Sequence, residues 1–354
     1  MSQPQAHSRE RVAGLDSLRF VCALLVVLGH GLSPPLMAGA DPASHRLVWL
    51  LNGLVNNLYN GPAAVIVFFV LSGFCIHWPY REGRTLKVGD FLGRRLLRIL
   101  LPLAVALGAS TALGVKLLDF NDSILWSLFA EVIYYALYPL ILPVARRYGF
   151  TRLVVGAFVL AAGVVLTQPN EYGNYPSYGL KLNWLLGLPC WLLGCWVAAR
   201  VRLEEPEASA PSARRMWLWR LGIYGLTVVL SGLRFHSPLK YQHTLDFFAV
   251  AVAMYLAREI AASRHRPPPR WLERGGAWSY SLYLTHPLAV AVYALLHVPE
   301  LGYFFGWAVR LGFVLGVSYV FSRAVERPAH LLAQRIGGPA PQAPQLSPAS
   351  RSGQ

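Results

Sequence analysis

Apolar runs long enough to cross a bilayer recur along nearly the whole of this 354-residue chain. Ten can be drawn, at roughly 12–31, 62–79, 96–118, 124–144, 152–168, 184–200, 216–234, 244–261, 278–297 and 303–323. A bilayer core of about 30 Å needs about 20 residues of helix per crossing. No soluble core of this length has room for so much apolar surface: 55% of the residues are hydrophobic and only 14% charged, against roughly 25% charged in an ordinary soluble domain. Disorder over most of the chain is excluded on the same ground. The expected fold is an all-α, polytopic transmembrane helical bundle of about ten spans.

The basic residues fix an orientation. With the N-terminus inside and the loops alternating, 25 of the 32 Lys and Arg residues fall on the inner side and five on the outer side, with Arg19 and Arg310 inside spans. This is the positive-inside pattern. It places both termini in the cytoplasm and accounts for the net charge of +15 without a nucleic-acid partner. The expected organisation is a short cytoplasmic N-terminus at 1–11, a transmembrane domain at 12–335 and a disordered cytoplasmic tail at 336–354. Asp16 and Arg19 interrupt the first apolar run, which argues against a cleaved signal peptide. The short, Asn-rich stretch 47–58 reads as an interfacial segment. Segments 203–213 and 265–270 read as unstructured linkers. No repeat relates one half to the other, which weakens a transporter reading. Cys22, Cys75, Cys190 and Cys195 lie in apolar runs without metal-ligand spacing and read as small hydrophobes.

Ionisable residues inside spans are costly and mark candidate sites. In the first span, Arg19 and His30 are 11 residues apart. On a regular helix they share a face and are separated by about 16 Å along the axis, with Asp16 one turn before Arg19. The fourth span carries Glu131, with Ser127, Tyr134 and Tyr138 on the same expected face. The ninth carries Ser279, Tyr283 and His286, followed by Pro287, whose missing N–H frees a backbone carbonyl. Arg94, Arg95 and Arg98 gather at the inner entry of the third span, where arginine suits bidentate phosphate binding. Topology or headgroup contact explains them equally well. Ser72-Gly73 in the second span reads first as a close helix contact.

The ordered set LDSLRFVCALLVVLGH at 15–30, FFVLSGF at 68–74, RRLLRILLP at 94–102, WSLFAEVIYYALYP at 126–139, LPCWLLGCW at 188–196, SYSLYLTH at 279–286 and VERP at 325–328 resembles the membrane-bound acyltransferase-3 family. That group includes bacterial O-antigen and exopolysaccharide O-acetylases. The resemblance covers about 11–332. The stretch between Pro102 and Trp126 is shorter than the family pattern leads one to expect, which leaves the span count there open.

The resemblance implies transfer of an acyl group, acetyl first among them, from cytoplasmic acyl-CoA to a hydroxyl of a cell-surface or lipid-linked glycan, in a bacterial inner membrane. It implies acyl-CoA as substrate, no bound cofactor and no metal. His30, Arg19 and Glu131 become the catalytic candidates, and Arg94, Arg95 and Arg98 the donor-binding ones. Asp16, Ser72, Ser127, Tyr134, Tyr283 and His286 are expected to line the pocket. A neutral imidazole suits removal of a hydroxyl proton, and the same ring can carry the acyl group. Both roles fit His30. Two rival classes share the features: a transporter or flippase of an acidic solute or lipid-linked glycan, and a scaffold without chemistry.

Overall fold

Helices form where the apolar runs predict them. The computed structural model describes residues 12–34, 46–115, 124–168, 170, 172–201, 211–299 and 302–336. Its helices are α1 (Leu15–Val27), α2 (Arg46–Asn57), α3 (Gly61–His77), α4 (Val88–Ala112), α5 (Leu125–Tyr148), α6 (Phe150–Thr167), α7 (Gly179–Arg200), α8 (Ala213–His236), α9 (Tyr241–His265), α10 (Arg270–Gly276), α11 (Ser279–Leu295), α12 (Tyr303–Phe321) and α13 (Arg327–Arg335). No strand occurs among the described residues. The protein is an all-α bundle, and among the described residues eight helical segments are long and apolar enough to cross a membrane. The other two expected runs are helical as well. α9 carries Asp246, Arg258, Glu259 and Arg264, which lower its hydropathy, and α11 is only 17 residues long. The expected tail beyond Ile336 and most of the 203–213 linker lie outside the described residues. Of the shortened stretch after Pro102, the described parts are the end of α4 and the start of α5, and 116–123 lie outside the described residues.

α3 is the hub. It is apolar all round and buried on most of its faces, as expected of a helix surrounded by others. Asn60 starts it by accepting from Ala63 N at 3.0 Å and donating to the Thr227 carbonyl at 2.8 Å. It packs most closely on α7. A Cβ at Gly73 would sit 1.9 Å from the Trp191 carbonyl oxygen, and one at Gly194 would sit 2.0 Å from that of Val70. These two glycines let the backbones touch, as small residues do between membrane helices.

Around this pair, charges on helices are paired with neighbours. Glu259 of α9 takes a two-pronged contact from Arg220 of α8, at 2.6 and 3.0 Å. α1 is capped from outside: Glu273 of α10 accepts from Gly14 N (3.1 Å), Ser17 N (3.3 Å) and Ser17 Oγ (2.6 Å), which satisfies amides that a helix start leaves open. Elsewhere the surface is apolar. Val155, Val159, Leu160 and Leu166 of α6 are all more than half exposed, as a lipid-facing helix requires. The interfacial stretch forms α2, and its Leu47, Leu51 and Leu54 point outward at helical spacing.

Candidate active site

α1 does not continue as a regular helix to His30. It ends at Val27 and passes into a π-turn, Leu28–Leu32, in which His30 has φ −95°, ψ 47° and Gly31 has φ 80°. The regular-helix geometry that put Arg19 and His30 on one face therefore fails at His30. The two side chains join different neighbours, one at each end of α1.

The first cluster forms around Arg19. Its Nη1 donates to Asp16 Oδ1 and its Nη2 to Cys75 Sγ of α3, both at 3.2 Å. Arg95 of α4 reaches the Cys75 carbonyl at 3.5 Å, and its guanidinium stands 5.9 Å from the centre of the Tyr135 ring. Tyr135 OH donates to Glu131 Oε1 at 2.5 Å, and Ser72 Oγ donates to the same oxygen at 2.6 Å. Trp191 Nε1 of α7 donates to Ser72 Oγ at 3.3 Å. Arg98 lies within electrostatic reach of Arg19 and Arg95, with Glu326 as an opposing charge. Glu326 sits in the π-turn Ser322–Glu326 that joins α12 to α13, and is held by Ser281 N and Oγ at 3.2 and 2.5 Å. Five helices and the Ser322–Glu326 turn thus converge on a set of three arginines and three carboxylates, Asp16, Glu131 and Glu326.

The second cluster joins α1 to α11. His286 is 1% exposed, whereas His30 is exposed. His30 Nδ1 lies 2.8 Å from the Val26 carbonyl oxygen and 3.3 Å from His286 Nε2. The protons can be assigned from the acceptors. Pro287 has no N–H, so the Tyr283 carbonyl four residues earlier has no α-helical donor, and His286 Nδ1 occupies it at 2.8 Å. That contact requires a proton on His286 Nδ1. In the neutral ring, His286 Nε2 is then an acceptor. Both neighbours of His30 Nδ1, the Val26 carbonyl and His286 Nε2, are acceptors, so His30 Nδ1 carries the proton. The lone pair of a neutral His30 sits on Nε2. Tyr283 OH bonds Ser127 Oγ at 2.7 Å and the Ile124 carbonyl at 3.2 Å, tying this cluster to the start of α5.

Several sequence expectations need correcting. Ser127, Glu131, Tyr134 and Tyr138 do not line one site. Ser127 goes to Tyr283, and Tyr134 OH goes to the Trp184 carbonyl at 2.7 Å, fully buried. Tyr138 OH meets His77 Nδ1 at 2.9 Å. A helix packed on several sides hands each residue of a nominal face to a different neighbour. Arg94 leaves the arginine group, because its Nε bonds the carbonyl of Asp90 one turn back at 2.9 Å. Cys22, Cys190 and Cys195 are buried as expected, but half-buried Cys75 touches Arg19. Ser279 stays local, bonding the Gly276 carbonyl. Tyr135, Glu326 and Glu273 were not singled out from sequence. Tyr135 was legible, since it lies four residues after Glu131. Nothing local to Glu273 or Glu326 marks a partner more than 40 residues away.

The chain matches the acyltransferase-domain family over residues 12–323 and belongs to it. It is thus a multi-pass membrane acyltransferase. It is 22% identical to "Nodulation protein 10" of Rhizobium leguminosarum bv. viciae, over 95% of this chain and 99% of that protein. No solved structure matches it.

Proposed function

We propose that the protein transfers an acyl group, acetyl in the simplest case, from cytoplasmic acyl-CoA to a hydroxyl of a cell-surface or lipid-linked glycan, in a bacterial cytoplasmic membrane. The observation that carries this reading is the seat of His30: an exposed imidazole whose Nδ1 faces two acceptors, the Val26 carbonyl and His286 Nε2, which assigns the proton to Nδ1 and the lone pair to Nε2. In the direct form of the reaction, Nε2 takes the acceptor hydroxyl proton as the oxygen attacks the thioester carbonyl. The carbon–sulfur bond then breaks and CoA leaves as its thiolate, which takes up a proton. In the two-step form, Nε2 itself attacks and holds the acyl group until the hydroxyl displaces it. Both forms need the same free nitrogen.

The arginine cluster supports the donor end of this reading. Arg19, Arg95 and Arg98 lie toward the basic, inner end of the bundle, and guanidinium groups suit phosphate and developing thiolate charge. The regular part of α1 from Arg19 to Val27 spans about 12 Å along the axis, and His30 lies beyond it in the π-turn. The donor's extended arm would bridge this distance and bring the thioester to His30. The test is purified protein in proteoliposomes, given radiolabelled acetyl-CoA inside and a glycan-lipid extract in the membrane. Label on the glycan is expected. Movement of the glycan without labelling, or neither event, would overturn the reading in favour of a transporter or a scaffold.

A further inference from the structure

A second basic feature lies outside both clusters. At the end of the bundle where α3, α5 and α7 finish and α6 begins, a recess of about 450 Å³ is lined by Arg81, Arg146 and Arg200. Its volume falls in the range of small-molecule sites, roughly 300–1,000 Å³. The three arginines come from three separate places, the turn after α3, the last turn of α5 and the last turn of α7, and no carboxylate is among the described lining residues. The positive-inside pattern puts arginines at this end, but does not require three of them to face one hollow.

Each arginine is anchored and retains unused donors. Arg81 stacks 3.5 Å from the centre of the Trp78 ring and bonds the Trp78 carbonyl at 3.0 Å. Its Nη2 pairs at 2.8 Å with Glu82, which is 77% exposed and outside the recess lining. Arg146 bonds the Arg84 carbonyl at 2.6 Å. Arg200 stacks 4.1 Å from Trp196 and bonds Thr151 Oγ1 at 3.3 Å. A guanidinium has five N–H donors, so these contacts orient the forks and leave donors for an anion. His77, Tyr80 and Phe150 give the recess an aromatic wall. Tyr138 packs against His77 and Tyr80, within electrostatic reach of Arg146 from the recess and Arg95 from the inner cluster. The recess and the inner cluster are thus separated by the neighbourhood of one side chain.

We propose that this recess is a phosphate-binding site, and that the phosphates it takes are those of the nucleotide end of the donor. The assignment rests on the acyl-CoA reading for its ligand, but its test does not depend on transfer. The probe is adenosine 3′,5′-bisphosphate, which carries the nucleotide phosphates and no acyl arm. Binding is measured by calorimetry on the full chain in nanodiscs of neutral phosphatidylcholine. Arg146→Gln and Arg200→Gln should each raise the Kd about tenfold or more, and Arg81→Gln less, because Glu82 already partners it. Arg146→Lys should recover only part of the loss, since lysine keeps the charge but not the fork. A variant that melts with the wild type yet binds weakly supports the site. Unchanged Kd in all three Gln variants overturns it. So does full recovery by lysine, which would reduce the arginines to topological charge. Native mass spectrometry supplies the remaining arm: if the Gln variants instead lose a co-purified anionic phospholipid while keeping nucleotide affinity, the recess holds a headgroup and the nucleotide assignment falls. Failure of acyl transfer with intact bisphosphate binding would sink the transfer reading and leave the recess standing. Normal transfer with unchanged acyl-CoA KM in the variants would do the reverse.

Discussion

The two ends of α1 are built on opposite plans. Around Arg19, charge is abundant and shared: five helices contribute groups, and hydrogen bonds tie Arg19, Arg95, Glu131 and Glu326 to neighbouring elements. Around His30, the groups are few and neutral, backbone carbonyls set the protonation, and one ring nitrogen is left open. The difference teaches what each end is suited to. A crowded, fixed set of guanidinium groups binds anions, whereas an imidazole with a defined lone pair moves a proton. The regular part of α1 holds the two at a set distance. The π-turn then rotates His30 out of the helix register and toward α11.

The sharpest way to break this comparison is to remove the open nitrogen. His30→Gln keeps hydrogen bonding and loses basicity. Transfer, measured as labelled glycan per mole of membrane-inserted protein, should fall roughly 10²–10⁴-fold. Near-wild-type transfer would strip His30 of any role in the chemistry.

The arginines come next, and here the structure separates two adjacent residues. Arg95→Gln should raise the apparent KM for acyl-CoA by roughly ten- to 150-fold, the equivalent of about 1.5–3 kcal/mol for one charge-assisted contact. Arg94→Gln should change it less than about threefold, because Arg94 is turned to its own backbone, the Asp90 carbonyl one turn back. Equal effects from both would mean that the group acts as bulk charge. Arg19→Lys should cost about tenfold in transfer, since one ammonium cannot serve Asp16 and Cys75 in the guanidinium's fixed fork. Full activity in this variant would remove the geometric argument for Arg19.

A modest effect on transfer is expected at His286. It touches His30 and is a positioning residue: its Nε2 helps hold the proton on His30 Nδ1. His286→Phe removes that acceptor but leaves the Val26 carbonyl in place. The loss should match one ordinary hydrogen bond, about 0.5–1.5 kcal/mol, or roughly 2- to 12-fold in transfer. His286→Gln should restore most of it. Loss as deep as that of His30→Gln would promote His286 to a reacting group and contradict the assignment.

Much of this was legible in the sequence, for reasons that also mark the limit. Apolar runs of bilayer length announce helices because a membrane permits little else, so the bundle could be read directly. The costly residues inside those runs, Arg19, His30, Glu131 and His286, stood out by the same rule. The close pairing of α3 and α7 was foreshadowed by Ser72-Gly73, although its partner Gly194 was not. What could not be read was which neighbour each residue would meet. The face drawn through Ser127, Glu131, Tyr134 and Tyr138 assumed one partner surface, and α5 has several. The Arg19–His30 alignment assumed an unbroken helix. Nothing in LGHGL announces a π-turn, although Gly31, at φ 80°, supplies the freedom it uses. Glu273 and Glu326 act across the fold, and no local spacing carries that information.

The proposed function divides the labour between the ends of α1: donor binding at the arginine end, proton removal or acyl acceptance at the histidine end. The most direct measurement is acyl-CoA binding to His30→Gln in nanodiscs, by calorimetry, beside transfer by the same preparation. The Kd is expected to stay within about threefold of wild type while transfer falls at least roughly a hundredfold. Binding lost in step with transfer would contradict it, because His30 would then belong to the donor site and the two ends of α1 would not be separate.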